Sequence, residues 1–256
     1  VLLKELKRGS IISTSWIVRS FGVTPWWLSP YQAWGFIRRL QVRPAIAAFE
    51  LLVGLLLAAL AMTLVFAAHL LPGLLQILDL KPATLLSLTP QALMLEGALL
   101  EELLYRGLLL TALLHFWRRA GWAIAVSALL FGLAHASNPH ATPLSIFSNS
   151  LGGVMYALPY VLTGRLYFSA GLHFGWNWAQ GIVFGFPMSG VTFNSVMMIT
   201  VTGPAWVTGA AYGPEGGMIG IGARLLIIAV SILLLRPRMR SGDGQEMRTI
   251  SGERSS

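Results

Sequence analysis

The run from Ala45 to Leu71 is apolar for 27 residues, is fenced by Pro44 and Pro72, and holds a single charge, Glu50. About 20 mostly apolar residues are enough to cross a bilayer. A helix apolar on every side must be surrounded by other apolar matter, either a large core or lipid. The rest of the chain offers no soluble exterior to enclose such a core. Only 11% of its 256 residues are charged, against 55% apolar, where soluble domains carry roughly 25% charged residues. This balance excludes a soluble enzyme, a disordered chain and a nucleic-acid module. The net charge of +8 does not change that. The basic residues punctuate apolar runs instead of clustering as a DNA footprint would need. With no cysteine, a disulfide scaffold, a thiolate zinc site and a cysteine nucleophile are also excluded.

Five further apolar runs follow. One spans Gln91 to Trp117, opened by Thr89-Pro90, a helix-start signal, and closed by Arg118-Arg119. Another, Trp122 to Ala136, ends at the loop signal Ser137-Asn138-Pro139-His140. The others run from Pro143 to Thr163, from Phe168 to Phe186 and from Met218 to Leu235. The expected fold class is all-α, a polytopic transmembrane helix bundle of about six spans. Three regions are expected. Residues 1–43 form a basic, aromatic-rich cytoplasmic or interfacial segment with no signal-peptide core. Residues 44–235 form the transmembrane domain, and residues 236–256 a basic disordered cytoplasmic tail.

The charges orient the bundle. Residues 1–43 carry seven Lys or Arg, and five Arg follow Leu235. Both flanks are expected to be cytoplasmic, which demands an even number of spans. Arg118-Arg119 and Arg165 then fall inside, and Asp79 and Lys81 outside. The stretch 188–217 is too broken by glycine to span and reads as interfacial or re-entrant. Gly217, Gly220 and Gly222 lack the Lys-Ser/Thr of a phosphate loop, so no nucleotide partner is expected.

Ionisable groups at membrane depth are costly and therefore mark function or a paired structure. The second run holds Glu96, Glu101, Glu102 and Arg106; the third ends in His135; the fifth holds His173 and Asn177. Glu102 and Arg106 are four apart and can pair on one helix face. Glu101 is rotated about 100° from Glu102 and is the freer carboxylate. His173 and Asn177 share a face, as do Phe131 and His135. A carboxylate with a histidine can take a proton from water, and a second histidine with an amide can stabilise an oxyanion. That is peptide or ester hydrolysis. Two histidines and a glutamate could equally hold a divalent metal such as Zn²⁺, although no His-Glu-x-x-His is present. Proton-coupled transporters use similar groups. His69 and His115 read as packing groups, and Glu50 and Glu96 as bonds to neighbouring helices.

Glu101-Glu102-Leu103-Leu104-Tyr105-Arg106 resembles the Glu-Glu-x-x-x-Arg motif of the CAAX-protease and bacteriocin-processing (CPBP) family of intramembrane proteases. Phe131-Gly132-Leu133-Ala134-His135 resembles its Phe-x-x-x-His motif, and His173-Phe174-Gly175-Trp176-Asn177 its His-x-x-x-Asn motif. The motifs stand in the family's order, and the resemblance covers about residues 45–235. Gly171-Leu172-His173, Phe184-Gly185-Phe186 and Gly213-Pro214-Glu215-Gly216-Gly217 are similar to bacterial members, which implies a bacterial plasma membrane. The resemblance implies a membrane-embedded endopeptidase in which Glu101 and His135 activate water. His173 and Asn177 would form the oxyanion site, with Glu102 and Arg106 in support. If a metal is present, its ligands would be Glu101, His135 and His173. The implied partners are membrane lipid and a membrane-associated protein or peptide substrate. The rivals are a non-catalytic membrane adaptor and a proton-coupled transporter.

Straight helices at about 1.5 Å per residue put His135 about 20 Å into its span and His173 about 10 Å into its own. A helix that begins only near Ser169-Ala170-Gly171, after an inward-dipping loop, is expected to absorb the difference.

Overall fold

The computed structural model describes residues 44–82, 88–117 and 120–235. The basic segment 1–43, Arg118-Arg119 and the tail 236–256 lie outside the described residues, and so do the expectations placed on them.

Helix α1 is Pro44–Leu70. Its buried residues recur every three or four positions, at Ala47, Glu50, Gly54, Ala58, Ala61, Val65 and His69. Phe49, Leu52, Leu56, Leu60 and Leu64 stay exposed on the opposite face. An apolar outward stripe of that length suits lipid, not water. A strand, β1 (Leu75–Leu80), follows. Helix α2 (Leu88–Glu102) widens into a π-helical stretch, Leu103–Leu110, and continues as α3 (Thr111–Trp117). Helix α4 (Ala120–Ala134) ends in a 3₁₀ turn, His135–Ser137. Helix α5 (Pro143–Thr163) has the bounds read from the sequence. Thr142 and Ser145 form its capping box, Pro143 opens it, and Gly164 closes it at φ 68°. Helix α6 (Tyr167–Trp178) passes into a π turn, Ala179–Val183. Strand β2 (Met197–Val201), a four-residue helix α7 (Ala205–Thr208) and two 3₁₀ turns lead to α8 (Met218–Leu235).

The structure is mainly helical, as expected, but three of the described helices, not six, are long and apolar enough to cross a membrane. They are Pro44–Leu70, Ala120–Ser137 and Met218–Leu235. The other expected spans are helical with a physical reason for falling short. The run through α2 and α3 holds four charges and is interrupted by π-helical backbone. Helix α5 carries serines, Asn149 and a double glycine, and α6 is only 12 residues long. Helix α6 also begins at Tyr167, earlier than the expected start near Ser169.

The stretch 188–217 contains a strand that apolar-run reading missed. Strand β2 pairs antiparallel with β1, from Leu75 opposite Val201 to Leu80 opposite Met197, with an irregularity between Ile77 and Asp79. Met197 to Val201 is too short to signal itself, and its partner lies more than a hundred residues earlier.

Glycine sets how closely the helices approach. A Cβ built at Gly171 would lie 2.2 Å from the Leu51 carbonyl oxygen, and one at Gly54 would lie 2.4 Å from that of Phe168. Helices α1 and α6 therefore touch backbone to backbone, the packing that small residues permit in lipid. Gly153 does the same for α5 against α4, where a Cβ would lie 2.7 Å from Ala128 Cα. At the α1–α6 edge, the expected bond of Glu50 is formed. Arg165, just before α6, donates to it from Nε at 2.9 Å and also from Nη2.

Candidate active site

Glu101 and Glu102 end α2, where the backbone loosens into its π-helical stretch. Such widened turns recur at functional sites because they re-aim side chains that a regular helix would stack. The Thr111 hydroxyl donates to the Arg106 carbonyl at 3.0 Å, five residues back. This satisfies an acceptor in the loosened stretch.

Glu102 and Arg106 pair as their spacing implies. Nη1 of Arg106 lies 3.0 Å from Glu102 Oε1, and both side chains are 1% exposed. Arg106 Nη2 donates to the Gly153 carbonyl at 3.1 Å. Its guanidinium also lies 4.6 Å from the centre of the Phe131 ring and 5.2 Å from that of Tyr156. Aromatic faces stabilise a cation more strongly when it is out of water.

The buried ring of His173 reaches both carboxylates. Its Nδ1 lies 2.8 Å from Glu102 Oε1. Its Nε2 lies 3.9 Å from Glu101 Oε2, too far for a hydrogen bond. A carboxylate only accepts, so the Glu102 contact places a proton on Nδ1 and leaves Nε2 to face Glu101. Tyr156 stacks on the imidazole with ring centres 4.3 Å apart and planes 15° apart. Phe131 stands edge-on to it at 6.0 Å.

Glu101 differs from its neighbour. Its side chain is 40% exposed, yet Oε2 is buried without a hydrogen-bond partner. Glu102 Oε2 and Arg106 Nε are buried and unpartnered as well. The site thus presents unmet acceptors and a donor around one imidazole, opening outward on the Glu101 side.

His135 joins through Phe131. The two rings lie 4.7 Å apart, and His135 Nδ1 is 2.8 Å from the Phe131 carbonyl. A carbonyl accepts, so this contact leaves Nε2 of His135 free. The ring is half-buried. Asn177, one turn after His173 on α6, is half-buried too, and its side chain makes no hydrogen bond among the described residues.

The described side chains do not fit a metal centre. No three His, Asp or Glu among them are placed to hold an ion. Of the remaining polar groups, His69 packs as expected, fully buried with Nδ1 2.8 Å from the Val65 carbonyl. Glu96 instead is exposed and forms no interhelical bond among the described residues. His115 is exposed beside the Phe116 ring.

Three contributors were not singled out by spacing. Tyr156 has no polar neighbour in sequence to mark it. Gly153 takes part through its carbonyl. Arg224 is buried and paired to Glu215 at 3.2 Å. Its signal is the one that marked Arg106, a charge inside an apolar run, but reading Met218 to Leu235 for apolarity alone passes over it.

Residues 82–179 match the family described as type II CAAX prenyl endopeptidase Rce1-like. This match supports a CPBP family protease. The matched residues include Glu101, Glu102, Arg106, His135, His173 and Asn177. Neither the curated proteins nor the solved structures provide a match. The match and the three helices apolar enough to cross a membrane support an integral membrane protein with a hydrolase role.

Proposed function

We propose that this protein is a membrane-embedded endopeptidase that hydrolyses a peptide bond of a membrane-associated protein or peptide. The observation that carries the reading is the double approach to His173, with Glu102 on Nδ1 and Glu101 toward Nε2. A water hydrogen-bonded to both Glu101 Oε2 and His173 Nε2, at about 2.8 Å from each, would sit off the line joining them with an angle near ~90°. Glu101 is the general base that takes the water's proton. Hydroxide attacks the scissile carbonyl, the tetrahedral oxyanion forms, and the proton passes to the leaving amine. His135, whose free Nε2 is also an acceptor, takes the water's second O–H when His173 Nε2 turns to the oxyanion. His173 Nε2, once Glu101 shares with it the proton taken from the water, and the Asn177 amide, four residues apart on α6, donate to the oxyanion until the C–N bond breaks and that proton leaves on the amine. Glu102 and Arg106 hold His173 in one tautomer and orientation.

The basic flanks, 1–43 and 236–256, face the cytoplasm of a bacterial plasma membrane. This arrangement requires the runs through α2 and α3, α5, and α6 to cross as well, in contact with the apolar helices.

The test compares protein termini in cells carrying the wild-type chain or Glu101→Gln at matched levels. Termini present with wild type and lost with Glu101→Gln are expected, and they identify the substrate and its cleavage position. Identical termini, with the variant folded, would refute the reading in favour of a non-catalytic adaptor.

A further inference from the structure

A second buried ion pair stands beside the first. Arg224 of α8 and Glu215 of the turn before it are 3% and 4% exposed and lie 3.2 Å apart. Arg224 also donates to the Ser148 hydroxyl at 2.6 Å and to Asn149 Oδ1 at 3.0 Å, both on α5. Glu215 in turn accepts from the backbone and hydroxyl of Ser189 and, at 3.4 Å, from the indole Nε1 of Trp176 on α6. The guanidinium lies 5.3 Å from the centre of the Trp176 ring.

This group meets the catalytic one across a double glycine. The Arg224 guanidinium packs against Gly152, where a Cβ would come within 3.3 Å of Cζ. Arg106 bonds the carbonyl of Gly153. Two arginines thus grip successive residues of α5 from two sides. Their glutamates reach successive turns of α6: Glu102 bonds His173, and Glu215 bonds Trp176 three residues later. Tyr156, one turn beyond Gly152 on the same face of α5, stacks on His173.

We propose that the Glu215–Arg224 pair positions His173 for the reaction, by fixing the register of α6 against α5 so that the imidazole sits between Glu101 and Glu102. Glu215 and Arg224 touch no reacting atom; they are positioning residues. The proposal rests on the endopeptidase reading for its kinetic consequence but not for its geometric one. The pair acts directionally, because every guanidinium donor dictates where an acceptor must lie.

The experiment uses the full chain in detergent micelles, with an internally quenched, prenylated CAAX peptide as probe. The variants are Glu215→Gln and Trp176→Phe, and Glu50→Gln serves as a control for an ion pair that bonds neither His173 nor Trp176. Two quantities are read: kcat against KM, and the ring ¹⁵N signals of histidine, with His173 assigned by their loss in His173→Gln. Both test variants are expected to lower kcat about 10-fold with KM within roughly twofold, since small misplacements of a catalytic group cost this much or more. The His173 ring signals should move in both and stay in place in Glu50→Gln. Should Glu215→Gln fail to fold, Trp176→Phe and Ser148→Ala carry the test alone, each removing one bond of the group. Unmoved His173 signals, or moved signals with unchanged kcat, overturn the proposal. If wild type leaves the probe uncleaved, the histidine signals alone decide it, so failure of the endopeptidase reading stays separate.

Discussion

Replacing Glu102 by Gln should destabilise the fold far more than replacing Glu101, its neighbour in sequence. The change removes one charge and no volume. At position 102 it leaves Arg106, which is 1% exposed, without a countercharge and beside the Gly153 carbonyl and the Tyr105, Phe131 and Tyr156 rings. Removing one partner of a buried pair costs about 3–5 kcal/mol. The Gln amide oxygen can still accept from Arg106, so the lower end, about 3 kcal/mol, is expected, or more than a hundredfold in the folded-to-unfolded ratio. Glu101 has no hydrogen bond to lose and an open side chain, so Glu101→Gln should stay within about 0.5 kcal/mol of wild type. Glu50→Gln falls between them, at about 1 kcal/mol, because its partner Arg165 is 36% exposed and water compensates the loss. Denaturant titration of the three variants in one micelle system, followed by size-exclusion of the folded fraction, gives the ordering. If Glu102→Gln lies within 1 kcal/mol of Glu101→Gln, Arg106 is not dependent on Glu102 and the division of roles between the two carboxylates is wrong.

Other consequences follow from the packing. Gly171→Ala would drive a Cβ to 2.2 Å from a main-chain oxygen, so folded yield should collapse. Gly97→Ala, which meets nothing within 4 Å on α2, should leave yield unchanged or raise it, since alanine is the better helix former by about 1 kcal/mol; equal yields would show that α1 and α6 can separate freely. Phe131→Leu removes a ring that faces Arg106 and both histidines. It should cost about 1–2 kcal/mol through the lost cation–π contact and slow cleavage in the termini assay; wild-type stability would show that the ring contributes only bulk.

What the sequence made legible was whatever a local rule could reach. The i,i+4 spacing gave the Glu102–Arg106 pair, and the apolar run from Pro143 to Thr163 gave the bounds of α5. What it could not reach needed a partner remote in the chain. Strand β2 is five residues whose reason for being a strand is β1. Glu101 could be ranked as the freer carboxylate, but that it faces His173 Nε2 at 3.9 Å depends on how α2 packs on α6, which no spacing encodes. Three of the expected spans fall short of a membrane-crossing composition for another reason. Apolar runs measure composition, while the polar residues that interrupt α2, α5 and α6 are the ones the site and its supports employ.

That overlap is a physical consequence of building a polar site in an apolar fold. A helix lined with carboxylates and serines is disfavoured in lipid unless its neighbours meet those groups. Helix α5 illustrates the exchange. Ser148, Asn149 and the Gly152-Gly153 pair lower its apolarity, and each supports a buried arginine: hydroxyl and amide oxygen for Arg224, a carbonyl for Arg106, and, at Gly152, room for a guanidinium. The arginines in turn fix two glutamates, and the glutamates fix α6. Substituting leucine for Ser148 and Asn149 would make α5 a better span by composition, while leaving Arg224 without two of its acceptors. The variant Ser148→Leu/Asn149→Leu should therefore fold less well despite its greater apolarity. Full folded yield would show that lipid compatibility, and not the polar network, decides where α5 sits.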